Sequence, residues 1–248
     1  MASTLRSVAF ALFQLTVTPP YAVAVLALGW MDPIARYRFI TWWCRMNLWG
    51  ARVICGIRSQ VTGRMPTTPH IVVCKHSSTW ETLALTQIFP PLAFVAKKEL
   101  LSIPFFGWAF RFASPITIDR KAGYDAMTQM AAQGRERFAQ GFWIAVYPEG
   151  TRIRAGTRAK YKTGGARLAI EMDVPVLPVA HNAGWLWPKG TLGKQPGLVT
   201  LSIGEPISPR GKEPLALMQE AERWIEAEVE RLGRPDRPRG APAQAGTP

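Results

Sequence analysis

The chain begins with a long apolar segment. No charged residue occurs between Ser7 and Met31, and a run of that length is sufficient to cross a hydrocarbon core of about 30 Å. Pro19 and Pro20 lie in the middle of this run, and paired prolines remove backbone donors that a continuous helix needs. The segment is therefore predicted to form two half-helices that enter and leave one leaflet, or a kinked span.

A cleaved signal peptide is the competing interpretation of this segment. Residues 22–24 (Ala-Val-Ala) have the small side chains of a cleavage site, but the apolar residues continue past them through Leu28. We therefore expect the segment to remain as a membrane anchor.

The segment from Arg36 to Ile57 alternates arginines with large apolar residues. Tryptophan prefers the headgroup boundary of a membrane, and arginine prefers the phosphates of anionic lipids. This pattern predicts an interfacial segment with its arginines on the cytoplasmic side, and an ordinary amphipathic core helix is the alternative. Residues 1–58 together are predicted to be an N-terminal membrane-anchoring helical region.

From about Ser59 onward the pattern changes to short apolar runs, rich in β-branched residues, that are separated by helical stretches. Such alternation predicts an α/β sheet. The predicted strands are His70–Cys74, Ala93–Ala96, Pro115–Ile118, Phe142–Tyr147, Val174–Ala180 and Leu198–Ile203. The predicted helices between them are Trp80–Ile88, Pro104–Phe112, Tyr124–Gln140 and Gly165–Met172.

A last helix closes the predicted α/β domain, which covers residues 59–232. Its apolar residues recur at three- or four-residue steps and form one stripe on an otherwise charged segment. They are Met218, Ala221, Ile225, Val229 and Leu232.

Residues 233–248 (GRPDRPRGAPAQAGTP) are dominated by Pro, Gly and Arg without apolar periodicity, which predicts a disordered tail.

The charge balance adds a constraint on partners. The 248 residues include 30 Lys+Arg and 17 Asp+Glu, a formal net charge of +13, which favours nucleic acid, anionic lipid headgroups or an acidic carrier protein. The sequence has no continuous Lys/Arg arm, zinc-finger spacing or aromatic RNA-binding signature, so nucleic acid is not expected.

The 3 cysteines lack CxxC spacing, and neither disulfides nor a metal site is expected.

The first polar motif, residues 75–81 (KHSSTWE), lies between a predicted strand and a predicted helix. On one helix His76 and Glu81 would point about 140° apart, whereas a turn before the helix lets them meet. Glu81 can then accept from one imidazole nitrogen while the other takes a proton from an alcohol. The alternatives are a capping box formed by Ser78 and Glu81, and a structural role for the histidine.

The second polar motif, residues 147–152 (YPEGTR), also follows a predicted strand, where open α/β sheets bind ligands. Gly150 permits a tight turn, and the guanidinium of Arg152 suits phosphate oxygens. Glu149 can accept from glycerol hydroxyls or orient the arginine. A solvated turn with a surface Glu–Arg pair is the alternative.

Five motifs occur in one order along the chain: HSSTWE (76–81), FVAKKEL (94–100), IDR (118–120), YPEGTR (147–152) and VPVLPVA (174–180). Together they resemble the 1-acyl-sn-glycerol-3-phosphate acyltransferase family, over roughly Ile71 to Ala180. The resemblance implies an α/β fold with a mixed β-sheet flanked by helices, joined to the N-terminal membrane-anchoring segment.

The resemblance also implies roles for individual residues. His76 matches the family's catalytic histidine, and Glu81 stands where the usual pattern carries aspartate, which changes the geometry of the pair by one methylene. The residues that match the binding of the glycerol phosphate are Glu149, Gly150, Thr151, Arg152, Arg120 and Lys97. A solvated basic surface is the alternative for Lys97 and Lys98, and an ion pair with Asp119 is the alternative for Arg120.

The expected activity is transfer of a fatty acyl group from acyl-CoA or acyl carrier protein to the sn-2 hydroxyl of 1-acyl-glycerol-3-phosphate, giving phosphatidic acid. No cofactor or metal is expected beyond the thioester co-substrate. The location implied is a membrane, the bacterial inner membrane, with the active site facing the cytoplasm and contacting anionic lipid.

The alternative functions are an acyltransferase acting on another lysolipid and a catalytically silent lipid-binding protein. The alternative mechanism is an acyl-enzyme route through Ser77, Ser78 or Cys74.

Overall fold

The computed structural model describes residues 2–119, 124–190 and 192–235. Their helices are α1 (Ala2–Leu26), α2 (Pro33–Cys55), α3 (Trp80–Ile88), α4 (Phe106–Arg111), α5 (Tyr124–Ala139), α6 (Gly164–Met172) and α7 (Pro214–Leu232). Their strands are β1 (Ile57–Thr62), β2 (Ile71–Cys74), β3 (Leu92–Lys97), β4 (Ile116–Ile118), β5 (Trp143–Val146), β6 (Val176–His181) and β7 (Gly197–Ile203). The predicted tail falls almost wholly in residues 236–248, outside the described residues.

The seven strands form one mixed sheet in the order β1-β7-β6-β2-β5-β3-β4. β6 and β7 are antiparallel, and the other neighbouring pairs are parallel. The prediction of an α/β fold with a mixed sheet flanked by helices is confirmed. The sequence pattern missed β1, because this edge strand buries only Ile57 and carries polar residues on both faces.

The first helix departs from the sequence prediction. α1 continues through Pro19 and Pro20 as one helix, so the prediction of two half-helices was wrong, and the alternative of a kinked span stays a prediction. The lost donors affect only about one turn, and hydrogen bonds to α2 hold the helix on both sides of that turn. These bonds are Gln14 Nε2 to Asn47 Oδ1 (2.9 Å), Trp43 Nε1 to Thr18 Oγ1 (3.1 Å) and Tyr21 Oη to the Phe39 carbonyl.

The second helix is well bounded and close to α1. Asp32 accepts from the N–H groups of Ile34 and Ala35 at its start, and Gly56 adopts φ 72° at its end. Phe10 of α1 and Tyr37 of α2 are buried in the same apolar core as the sheet. The N-terminal helices therefore rest on the α/β domain through shared core contacts.

One edge of the sheet collects the polar motifs. β2, β5, β3 and β4 are parallel neighbours, so their carboxyl ends lie along one side of the sheet, called here the carboxyl edge. The segments that follow these strands contain the KHSSTWE and YPEGTR motifs. Residues distant in sequence consequently lie together at this edge.

Candidate active site

The carboxyl end of β2 leads into the His76 turn (residues 75–81), which places His76 beside Glu81. His76 Nδ1 lies 2.8 Å from Glu81 Oε1, and the same oxygen accepts from the N–H groups of Ser77 (3.1 Å) and Ser78 (3.0 Å). The last contact corresponds to the reach-back half of a capping box, although the N-cap residue of α3 is Thr79, whose side chain caps no N–H group. One carboxylate oxygen thus serves the helix start and the imidazole at once, so the two interpretations of Glu81 are compatible.

The contacts of Glu81 fix the protonation pattern of the histidine. A carboxylate oxygen only accepts, so His76 Nδ1 carries the hydrogen and Nε2 keeps a free lone pair. Burial raises the pKa of Glu81, but His181, His76 and the Ser78 N–H outweigh burial and hold this pKa below its ordinary value. Glu81 is therefore ionised at neutral pH, as a partner for an imidazole base must be.

A second histidine, which the sequence motifs did not indicate, lies near the carboxylate oxygen of Glu81 that does not contact His76. His181 is fully buried at the end of β6, with Nε2 2.8 Å from the Lys75 carbonyl and 3.6 Å from Glu81 Oε2. Its Nδ1 accepts from the Ala183 N–H at 3.1 Å, and burial lowers its pKa. His181 is therefore neutral, with its proton on Nε2, and contributes a dipole instead of a charge.

Aromatic rings hold the imidazole from one side. Tyr147 stacks on His76 with ring centres 3.8 Å apart and planes 13° apart, and Phe94 stacks on Tyr147 at 5.9 Å. The Tyr147 hydroxyl donates to Thr82 Oγ1 at 3.1 Å. Stacking and the Glu81 contact together restrict the rotation of the imidazole.

The carboxyl end of β5 leads into the Arg152 loop (residues 147–153), which lies against the His76 turn. Arg152 Nη1 donates to Thr79 Oγ1 at 2.6 Å, and the Ile153 N–H donates to the His76 carbonyl at 2.7 Å. Gly150 adopts φ 69°, as a tight turn here requires, and Thr151 beside it is exposed. The guanidinium is thus held on the turn that carries the imidazole.

Glu149 does not point outward from this loop. Its buried carboxylate accepts from the His76 N–H at 3.2 Å through Oε1, which is 3.9 Å from Lys75 Nζ. Its Oε2 has no hydrogen-bond partner among the described residues, and burial raises its pKa to about 7. Glu149 thus holds the His76 turn in this structure, and its contact with glycerol hydroxyls stays a prediction.

Lys75 lies in a buried polar cluster that the sequence did not indicate. Its ammonium is 2.5 Å from Glu226 Oε1 of α7, and the Tyr161 hydroxyl donates to the same oxygen at 2.8 Å. Lys75 also donates to the Thr157 carbonyl at 3.3 Å. The place of Lys75 in the KHSSTWE motif does not indicate that it is buried, because only the fold brings Glu226 to it from 151 positions away.

The remaining predicted binding residues are less well placed by the structure. Lys97 is exposed at the end of β3, beside Ile118 of β4, at the carboxyl edge. Arg120 lies outside the described residues. The roles of both in binding stay predictions.

The nearby nucleophiles are poorly suited to forming an acyl-enzyme. Burial raises the pKa of Cys74 well above its usual range, so its reactive thiolate is scarce. Ser78 Oγ donates to the Trp187 carbonyl at 2.7 Å and accepts from the Trp80 N–H at 3.1 Å, and Ser77 is buried. The geometry therefore favours direct transfer.

An apolar cavity of about 100 Å³ lies beside the aromatic stack. Its walls come from α1, α2, α3, β3 and α4. Two of its lining residues, Thr82 and Phe94, also contact Tyr147, which stacks on His76. The cavity thus reaches from the N-terminal helices to residues that contact the ring stacked on the candidate base.

Comparisons with known proteins identify relatives of this chain. The family model named Acyltransferase matches residues 57–182. A 1-acyl-sn-glycerol-3-phosphate acyltransferase of Pseudomonas aeruginosa is 42% identical over 233 residues, which cover 90% of this chain and 91% of that protein. The mouse 1-acyl-sn-glycerol-3-phosphate acyltransferase alpha is 31% identical over 176 residues, 68% of this chain and 62% of that protein.

A solved structure extends the likeness to the fold. The crystal structure of the 1-acyl-sn-glycerophosphate acyltransferase of Thermotoga maritima has a TM-score of 0.74 and 25% sequence identity to this chain. The match covers 92% of this chain and 95% of that one. It therefore includes the N-terminal helices as well as the sheet.

Proposed function

The chain belongs to the 1-acyl-sn-glycerol-3-phosphate acyltransferase family, and we propose that it transfers a fatty acyl group to the sn-2 hydroxyl of 1-acyl-glycerol-3-phosphate, giving phosphatidic acid. The acyl donor in this proposal is acyl-CoA or acyl carrier protein, and no further cofactor takes part. The names of the relatives support the acceptor, and the net charge of +13 suits an anionic donor.

One observation carries the proposal: an oriented imidazole base and a guanidinium lie on two adjoining segments. The His76–Glu81 contact of 2.8 Å supplies the base, and the Arg152–Thr79 bond of 2.6 Å holds the guanidinium on the same turn. An acceptor with a phosphate at one end and a hydroxyl two carbons away needs these two groups close together.

In the proposed reaction His76 Nε2 removes the proton from the acceptor hydroxyl as its oxygen attacks the thioester carbonyl. The imidazolium that forms is stabilised by the ionised Glu81. The tetrahedral intermediate then collapses, the carbon–sulfur bond breaks, and His76 returns its proton to the departing sulfur to give a thiol. Arg152 holds the acceptor's phosphate, with Lys97 and Arg120 as further cations.

The apolar cavity suits a fatty acyl chain. Its lining is almost wholly apolar, and its lining residues Thr82 and Phe94 contact Tyr147, which stacks on the imidazole near which the acyl carbonyl must lie during transfer. Because its walls include α1 and α2, a chain in the cavity remains close to the helices that face lipid.

We assign the membrane attachment to the N-terminal helices. Ser3–Leu26 is long and apolar enough to cross a membrane, and only 17% of its most apolar stretch is buried, unlike the core helix of a soluble protein. Acyl thioesters are made in the cytosol, so the carboxyl edge is proposed to face the cytoplasm, at a bacterial inner membrane.

Thiol release tests this function. Purified protein in detergent with lysophosphatidate and either acyl-CoA or acyl carrier protein should release thiol and form phosphatidic acid, detected by mass spectrometry. His76→Ala should lower the rate about 10²–10⁴-fold, whereas the control His70→Ala should retain it, because His70 stacks on Trp143 away from the site.

The same assay separates the rival functions. Lysophospholipids that carry a headgroup on the phosphate should be poorer acceptors than lysophosphatidate. Equal or better use of those lipids would contradict the proposed acceptor. Thiol release that is absent, or unaffected by His76→Ala, would contradict the proposed reaction.

A further inference from the structure

A short segment after β3 exposes an unusual number of large apolar side chains. Ile103, Phe105, Phe106 and Trp108, within six positions, are each between 38% and 42% exposed. We call residues 103–108 the apolar tip. Exposed single apolar residues are common on soluble proteins, but a contiguous group of this size marks a contact surface.

The backbone of the tip is held in a constrained conformation by the surrounding fold. Phe105 adopts φ 60°, a conformation that a non-glycine residue holds only when its surroundings enforce it. At Gly107 a Cβ atom would approach the Leu100 carbonyl oxygen to 2.4 Å, so only glycine fits. The Phe105 and Trp108 rings lie 5.2 Å apart. This backbone holds two aromatic rings outward at the surface.

The tip adjoins the end of the membrane-anchoring helices. Arg36 of α2 donates from Nε to the Phe112 carbonyl at 3.1 Å and from Nη1 to the Gly29 carbonyl at 3.2 Å. Its guanidinium also lies 5.4 Å from the centre of the Phe112 ring. The α1–α2 connection, where Trp30 is 83% exposed, is thereby fixed next to the segment that carries the tip.

Charge and composition indicate which partner this surface contacts. Exposed Lys97, Lys98 and Arg111 flank the tip on both sides, and phenylalanine and tryptophan form its apolar part. Aromatic rings bordered by cations match the boundary between acyl chains and anionic phosphates of a bilayer. α1 and α2 also expose large apolar side chains, among them Val23, Leu26 and Trp42.

We propose that the apolar tip inserts into the same leaflet as the N-terminal helices and forms a second membrane attachment of the catalytic domain. This inference rests on the membrane attachment proposed above for α1 and α2. Phe106, Ala109 and Phe110 also line the apolar cavity, so insertion of the tip places the cavity wall against the bilayer. Together with the N-terminal helices, the inserted tip holds the carboxyl edge at a fixed depth.

A site-specific probe tests the insertion without depending on catalysis. The native cysteines Cys44, Cys55 and Cys74 are at most 8% exposed, so a polarity-sensitive fluorophore will react selectively at an introduced Phe105→Cys. The matched control is Leu215→Cys, an exposed apolar position on α7 (56% exposed). Each labelled protein is mixed with vesicles of anionic and zwitterionic phospholipid, and nitroxide-labelled lipids serve as quenchers.

We expect the Phe105→Cys label to shift its emission to the blue and to be quenched severalfold more than the Leu215→Cys label. Equal quenching at both positions, in protein that floats with the vesicles, would overturn the tip insertion while leaving the attachment by α1 and α2. A spectral shift that needs acyl carrier protein or high protein concentration instead of lipid would assign the tip to a protein contact and also overturn it. Failure to float at all would overturn both attachments.

Discussion

Glu81 shows how one side chain can serve structure and chemistry together. Its Oε1 accepts from the imidazole of His76 and from two backbone N–H groups of the turn that carries the imidazole. The carboxylate therefore fixes both the ring and the backbone on which the ring stands. The extra methylene of glutamate, compared with the family's usual aspartate, lets the carboxylate of a residue inside α3 reach back to the turn.

This geometry predicts that Glu81→Asp is harmful in this chain, although aspartate is the family's common residue. The shorter side chain cannot reach His76 Nδ1 and the Ser77 and Ser78 N–H groups together. We expect kcat to fall about 10–100-fold, with a smaller change in the KM for acceptor. Glu81→Gln is the comparison variant, since it keeps the length and loses the charge. Unchanged turnover by the aspartate variant would contradict this role of Glu81.

Glu149 predicts a dependence of stability on pH. Its pKa is raised from 4.5 to about 7 by burial, so the folded chain retains a proton that the unfolded chain releases between these values. The stability from this group is complete below pH 4.5 and is lost as the pH rises through about 7, by about 3 kcal/mol. Glu149→Gln, which cannot ionise, escapes this loss.

Thermal unfolding in detergent at pH 5 and pH 8 measures this effect. The melting temperature of Glu149→Gln relative to the unmodified protein should be higher at pH 8 than at pH 5. A difference between the two proteins that is the same at both pH values would show that Glu149 carries no raised pKa.

At the scale of elements, α7 is tied to the His76 turn by one buried pair. Lys75 and Glu226 are 2.5 Å apart and nearly inaccessible, so loss of either charge leaves the other buried without its nearest ion partner. We expect Lys75→Met to lower the free energy of unfolding by about 3–5 kcal/mol, and the double variant Lys75→Met/Glu226→Leu to recover much of this loss.

Denaturant unfolding of the unmodified protein, Lys75→Met, Glu226→Leu and the double variant gives the coupling energy between the two residues. Arg210→Met is the control, because the Arg210–Asp173 pair has a similar distance of 2.8 Å but is exposed, and it should change stability little. Additive effects of the Lys75 and Glu226 substitutions would contradict the coupling of α7 to the turn.

The elements also show where sequence reasoning succeeds. Buried strands such as β2 and β5 are apolar on both faces and were found, whereas β1 is a polar edge strand and was missed. The continuity of α1 through its prolines was not predicted, because the side chains of α2 that hold this helix cannot be identified from local sequence.

At the scale of the whole molecule, the site combines local and distant contributions. The His76–Glu81 pair is separated by five positions, and a turn before α3 predicted that the two could meet, but its catalytic role was inferred only with the other motifs and the family resemblance. His181 and Glu226 come from 106 and 151 positions away to meet the same turn, and a single sequence holds no signal for those contacts. The parallel strands supply the missing information, since they bring successive carboxyl ends to one edge.

The central question is whether Arg152 binds the acceptor's phosphate while His76 removes the proton from the acceptor's hydroxyl. The measurement is kcat/KM for lysophosphatidate and for a monoacylglycerol of the same chain length, with the unmodified protein, Arg152→Ala and the exposed neighbour control Arg154→Ala. Arg152→Ala should lower kcat/KM about 10–100-fold for lysophosphatidate and leave that for the monoacylglycerol nearly unchanged. An equal loss with both acceptors would contradict the account.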